Sequence, residues 1–251
     1  MDKMIYSILS SGERTEKLNS LLVGMKGIAG ADINIVFFEN ISAIVCDINR
    51  IKLVADQSNA IAYAGVIETL AHHFTLLPVR FGSVMESDAA IIHMLKKNYN
   101  DIQQNLLKVE NKYEFGLKIF CEPEKLKAEL TAKSDANAKT STSPATEINN
   151  SVYRDWVNKK LKEHRFEELL VTYVDSVISK IKGDLDQLKA INKFKKIVTT
   201  SMIIDAVFLL DKERKDLLVE TVGELQNQHA GLTFVLTGPW PPYNFVDFTV
   251  K

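Results

Sequence analysis

Apolar positions along the chain fall into two rhythms: short runs, continuous or alternating, and stripes at steps of three and four. Met4 to Leu9 is a largely apolar run that predicts a strand, and Thr15 to Val23 reads as a short helix ending near Gly24 and Gly27. Ile33 to Phe38 and Ile41 to Cys46 flank Glu39-Asn40, the signature of a hairpin. Ala60, Ala64, Ile67, Ala71 and Phe74 share one face of a predicted helix. Pro78 and Gly82 bracket a short extended piece, Val79-Arg80-Phe81. The clearest helix carries Ile91, Leu95, Tyr99, Ile102, Leu106 and Val109, with Ser87 and Asp88 at its start.

After Glu110 to Lys112 the pattern restarts. Tyr113 to Cys121 reads as a strand, and a helix begins at Pro123 and resumes near Ser151, with Phe166, Leu170, Tyr173, Val177 and Ile181 on one face. Strands follow at Phe194 to Thr200 and Met202 to Leu210, then a helix with Leu218, Val222 and Leu225, then a last strand, Leu232 to Thr237. The order β-α-β-β-α-β is the split βαβ of ferredoxin-like domains. The segment 133–150, built almost wholly of Ser, Thr, Ala, Asn, Lys and Asp, interrupts its first helix as a polar insertion. The fold class expected is therefore α+β in two domains. Residues 1–111 form a smaller antiparallel sheet packed with helices, and residues 112–251 form the ferredoxin-like domain with its insertion.

Composition narrows the classes of function. A chain of 251 residues that is 46% hydrophobic has ample material for packed cores. With 31 basic against 32 acidic residues it has no field to attract nucleic acid or an anionic membrane. Two cysteines, Cys46 and Cys121, build no disulfide framework and suit a reducing cytoplasm. The opening apolar run is followed at once by Glu13, Arg14, Glu16 and Lys17, unlike a signal peptide. The long uncharged stretch from His229 to Val246 holds too many glycines and prolines for a membrane helix. A soluble cytoplasmic protein is expected.

Catalytic and ligand signatures are sparse. His72-His73 has the wrong spacing for two ligands on one helix face, and His93, His164 and His229 lie on separate segments, so no metal or cofactor is expected. The chain has neither a phosphate-cradling glycine loop nor a nucleophile elbow. Ser10-Ser11-Gly12 reads as a plain turn, and both cysteines as inert strand thiols. Lys159, Lys160, Lys162, Lys189, Lys193, Lys195 and Lys196 read as solvated faces, since the aromatic signature of RNA-binding sheets is missing.

Two motifs exceed generic core. In Leu76-Leu77-Pro78-Val79-Arg80-Phe81-Gly82-Ser83-Val84, an arginine lies between apolar neighbours, where a buried guanidinium would need a carboxylate or carbonyl partner. In Thr237-Gly238-Pro239-Trp240-Pro241-Pro242-Tyr243-Asn244-Phe245-Val246, prolines stiffen the chain while aromatics supply a surface, either for an interdomain clamp or for a partner.

Together these motifs resemble the gas vesicle protein GvpF/GvpL family. The resemblance runs through nearly the whole chain, including the Ile5-Tyr6 strand, the hairpin at Glu39-Asn40 and Ile204-Asp205-Ala206-Val207-Phe208-Leu209-Leu210. It implies a two-domain α+β protein with a variable insertion, acting without catalysis in the assembly of gas vesicles, the protein shells that give some aquatic prokaryotes buoyancy. The partners it implies are the hydrophobic shell protein GvpA and other accessory gas vesicle proteins. Contact is expected at Trp240, Pro241, Pro242, Tyr243 and Phe245, and at Arg80 and Phe81. The competing class is a ligand-binding regulatory module of ferredoxin-like type.

Overall fold

The run Met4 to Leu9 forms the middle of β1 (Asp2–Ser10), and all six of its residues are buried. A strand with so little polar interruption is one covered on both faces. α1 (Thr15–Leu22) follows, with Leu18 and Leu22 buried. β2 (Ile33–Phe38) and β3 (Ile41–Ile48) then pair antiparallel across a tight turn in which Glu39 takes φ +52°. α2 (Gln57–Ala71) starts at Asp56, whose carboxylate accepts the Asn59 N–H at 2.8 Å, and buries Tyr63, Val66, Ile67 and Leu70. β4 (Leu76–Pro78) and β5 (Val84–Met85) share the other edge of β1, facing Ser7–Leu9 and Lys3–Met4. The strand order is β2-β3-β1-β4, with β5 also on β1.

One face of this sheet packs against α1 and α2 through Met4, Tyr6, Ile44, Cys46, Tyr63 and Ile67. α3 (Asp88–Lys97) and α4 (Tyr99–Val109) contact β1, β2, β4 and β5 and bury Ile91, Met94, Leu95, Ile102, Leu106 and Val109, supplying the other layer. The sequence pattern predicts these two as one helix, but they break at Asn98, whose ψ is 16°. The Asn98 side-chain amide donates to the Met94 carbonyl at 2.8 Å, and this local bond competes with continuation of the helix. The apolar stripe survives the break.

The computed structural model describes residues 1–10, 15–49, 56–122, 124, 151–196, 201–229 and 231–246. The expected insertion at 133–150, the helix start at Pro123, the Ser11-Gly12 turn and the strand end at 197–200 lie outside the described residues. The chain divides into two compact units, Met1–Phe115 with Gly238–Lys251, and Gly116–Thr237. Residues 238–246, assigned to the second domain on sequence pattern, fall by their contacts in the first unit.

β6 (Lys112–Cys121) crosses the division and opens the second unit. α5 (Ser151–Asp186) buries Val174, Val177, Ile181 and Leu185 at helical steps. β7 (Ile191–Lys196) and β8 (Met202–Asp211) pair antiparallel, α6 (Lys215–Gln228) buries Leu218, Val222 and Leu225, and β9 (Leu232–Trp240) forms an edge. The order is β7-β8-β6-β9. Counted within each half, both sheets therefore place their strands as second, third, first and fourth. The protein is α+β with two mixed layers of this kind. Among the described residues no helix is long and apolar enough to cross a membrane.

Candidate functional site

The site in the first unit begins with an irregularity in β1. The register against β3 shifts between Ile5 and Ser7, a bulge centred on Tyr6. The Tyr6 carbonyl accepts the Val79 N–H at 2.9 Å and lies 3.2 Å from the Tyr63 hydroxyl, which donates also toward the Val79 carbonyl. The Tyr63 ring stacks on Tyr6 at 5.1 Å and meets Phe81 edge-on at 5.2 Å. One α2 side chain thereby ties β1 to the first motif. The Tyr6 hydroxyl, in turn, accepts the Ile28 N–H at 2.9 Å and donates to Cys46 Sγ at 3.4 Å.

The expected extended piece Val79-Arg80-Phe81 is a turn between β4 and β5. The Ser83 N–H donates to the Arg80 carbonyl at 3.1 Å, and Gly82 takes φ +82°, a conformation that a side chain would strain. The Ser83 carbonyl accepts the Ile5 N–H at 2.9 Å, so the turn is fastened to the sheet on both sides. Arg80 stands exposed at its tip and Phe81 is half-buried. The guanidinium is therefore not locked among apolar groups as its neighbours suggested, because the turn carries it outward into water.

The second motif divides into an inward and an outward set. Gly238, at φ +114°, passes so close to β6 that a Cβ there would lie 2.8 Å from the Glu114 carbonyl oxygen. β9 continues through Pro239 to Trp240, beyond the expected end at Thr237, and an edge strand tolerates that proline. Pro241 and Pro242 are buried and Phe245 is 0% exposed, whereas Trp240 and Tyr243 are each 41% exposed. The Tyr243 N–H donates to the Pro241 carbonyl at 2.7 Å and closes the turn. Glu114, 3% exposed, accepts the Asn244 backbone N–H at 2.7 Å and its side-chain amide at 2.5 Å. A buried carboxylate given two donors in this way stays satisfied and holds the segment in register.

Tyr63 ties the first motif to β1, and the phenol of Tyr243 in the second motif bears on its ionisation. Burial, and then the nearby Tyr243 phenol, push the Tyr63 hydroxyl above the usual phenol range. Partial burial, and then the negative charges of Glu68 and Glu114, push Tyr243 up to about 12, so it is a neutral hydroxyl at any physiological pH. Trp240, Tyr243 and Phe81 are thus partly exposed aromatics, and Arg80, next to Phe81 in the chain, is exposed. These residue types dominate the energetic centres of protein interfaces. The sequence reading passed over Tyr63, Glu114 and Asn244 as site residues. Their signals were a polar-tipped aromatic on the buried face of α2 and an acid within the apolar strand Tyr113-Glu114-Phe115.

Elsewhere, both cysteines are buried, and that burial pushes each thiol up, away from the reactive thiolate. His229 is half-buried and its ionisation is pushed down by burial and then by the charge of Lys180. Among the described residues no group of three His, Cys, Asp or Glu side chains is arranged to hold a metal.

Comparison with known proteins places this architecture. The chain is 25% identical over 234 residues to gas vesicle protein F1 of Halobacterium salinarum, covering 92% of this chain and 89% of that one. It is 24% identical over 232 residues to gas vesicle protein L of Haloferax mediterranei, covering 86% and 72%. The crystal structure of the gas vesicle protein GvpF from an Anabaena species matches the fold with a TM-score of 0.76 at 19% identity, covering 99% of this chain and 97% of that one. GvpF from Microcystis aeruginosa matches with a TM-score of 0.74 at 17% identity, covering 98% and 99%. The model of the family described as gas vesicle synthesis protein GvpL/GvpF matches residues 3–247, and the chain therefore belongs to that family, whose role is in gas vesicle formation.

Proposed function

We propose that this protein acts without catalysis at the forming gas vesicle in the cytoplasm, as an assembly factor or minor structural component. In this reading it binds the hydrophobic shell protein GvpA and other accessory gas vesicle proteins during nucleation or growth. The observation that carries the reading is the family match across residues 3–247. A shell subunit with an apolar face aggregates unless that face is covered before insertion, and a rigid aromatic surface is suited to covering it. Trp240 and Tyr243 supply the contact, and Arg80 and Phe81 a second one. Pro241, Pro242 and Phe245 act from beneath as the support, since they are buried. The second unit is read as ferredoxin-like, supported by its β-α-β-β-α-β order and the strand sequence β7-β8-β6-β9.

The test is capture of purified GvpA by the Trp240→Ala/Tyr243→Ala double variant. The expected result is lost capture with the thermal unfolding midpoint near that of the parent, because both side chains are partly exposed. Capture at parental strength by the folded variant would overturn the placement of the contact.

A further inference from the structure

We propose that the free edge of β2 (Ile33–Phe38) receives an extended, uncharged apolar segment of the shell protein as an added strand. The proposal rests on the shell-binding reading above and adds a contact of another kind, made through main-chain hydrogen bonds. Sheet edges present unpaired N–H and C=O groups, and proteins blunt them with charge, proline, shortness or cover. The other edges of the two sheets are blunted in these ways. β4 and β5 hold three and two residues, and β4 ends on Pro78. β7 carries Lys193, Lys195 and Lys196. β9 carries Pro239, and the Gln226 side chain occupies its Leu232 carbonyl and Phe234 N–H. β2, by contrast, runs Ile33-Asn34-Ile35-Val36-Phe37-Phe38 without a charge, a proline or a glycine. Among the described residues it pairs with β3 alone.

Antiparallel pairing with β3 uses the N–H and C=O groups of every second β2 residue and turns the others outward. Both faces are apolar at the hairpin end of this edge. Phe37 is 42% exposed on one, and on the other the half-buried Phe38 meets Tyr99 edge-on at 5.8 Å. An added strand would extend a sheet whose β1 and β3 are buried on both faces, which calls for a continuous apolar run. Of the proposed partners, the hydrophobic shell protein is the one whose character fits such a run. A second copy of this chain fits poorly. Full-length antiparallel pairing of β2 with itself would set Asp32 of each copy against Glu39 of the other, acid facing acid at both ends. It would also engage six residues a side, where a stable dimer interface takes about 20–30. A single added segment needs no such area, because main-chain bonds give affinity and alternate side chains give specificity.

The experiment uses the full chain with purified GvpA in mild detergent as the probe. Asn34→Lys/Phe37→Lys places a lysine on each face of the edge, at exposed positions. It is expected to weaken binding about tenfold or more, with an unfolding midpoint near that of the parent. Ile61→Lys/Leu107→Lys adds the same charge at exposed apolar positions of α2 and α4 and is expected to bind as the parent does. In the parent, amide exchange across 33–38 is expected to slow about tenfold on saturation with GvpA, and not with detergent alone. That readout registers main-chain pairing and does not depend on a variant folding. GvpA binding with neither protection of 33–38 nor loss in the edge variant would overturn strand addition while sparing the shell-binding reading. Equal loss in both lysine pairs would trace the effect to charge and overturn it too. A concentration-dependent dimer of the parent, abolished by the edge lysines, would give the edge to a second copy and overturn the proposed occupant. Failure of the parent to bind GvpA would overturn both readings.

Discussion

The two compact units are built on one connectivity and finished differently. In each, a first strand sits inside the sheet, a helix leads to an antiparallel strand pair, and a second helix leads to the strand on the far side. The first unit then adds α3 and α4, and its sheet is buried on both faces, with six consecutive buried residues in β1 and again at the start of β3. The second unit has no such helical addition after β9 among the described residues. Along β8, Ile204, Ala206, Phe208 and Leu210 on the side facing α5 are all buried, whereas the opposite side alternates buried Ile203 and Leu209 with half-buried Asp205 and Val207. A shared topology therefore does not decide how much of a sheet is core. The elements appended after the repeat decide it, and in the first unit they also leave the loop side of β1, β4 and β5 free to build a surface.

The strongest way to break this comparison is to truncate both faces of each sheet. Phe208→Ala, on the α5 face, is expected to cost about 3–5 kcal/mol, and Val207→Ala on the opposite face about 1 kcal/mol or less, by urea unfolding. In the first unit Leu95→Ala, on the α3 layer, and Ile67→Ala, on the α2 layer, are each expected to cost about 2–5 kcal/mol. A small effect for Leu95 would remove the distinction.

Next in size is Glu114→Ala, which leaves the Asn244 amide without its acceptor and is expected to cost about 1–3 kcal/mol. A red shift of tryptophan emission should accompany it as Trp240 loosens. An unchanged spectrum and stability would show that the buried contacts of Phe245 hold the segment unaided.

The edge of β9 offers a sharper test of the second unit. The Gln226 side chain donates to the Leu232 carbonyl at 2.6 Å and accepts the Phe234 N–H at 2.8 Å, standing in for a neighbouring strand. Gln226→Leu is expected to raise the self-associated fraction in sedimentation velocity, with a stability loss of about 1 kcal/mol.

The smallest effects are in pH, and they separate the units. His229 is favoured neutral in the fold, so its contribution is present above pH 6.5 and is lost as pH falls through the lowered value. Tyr243 is likewise favoured neutral, and its contribution is full below pH 10 and is lost as pH rises through about 12. His229→Gln should flatten only the acid limb of a stability profile, and Tyr243→Phe only the alkaline limb.

Much of the fold was legible because local patterns agreed with it. The run in β1, the Glu39-Asn40 hairpin and the stripe of α3 and α4 all follow from side-chain periodicity, and the two motifs stood out by composition. What escaped was set by neighbours distant in sequence. The break at Asn98 depends on a side-chain bond that periodicity does not register. The outward position of Arg80 depends on Gly82 and on backbone bonds to Tyr6 and Ile5. The pairing of Glu114 with Asn244 joins two residues of the first unit that are 130 positions apart in sequence.

By itself, then, the sequence determined the element types, the two motifs and the family they belong to, because each is written in residues close together along the chain. Only the tertiary structure decided that residues 238–246 return to the first unit, that Pro241, Pro242 and Phe245 face inward, and that Tyr63 ties the first motif to β1. Those outcomes depend on which buried polar groups find partners and which apolar surfaces find cover, and both are settled by contacts between segments far apart in the chain.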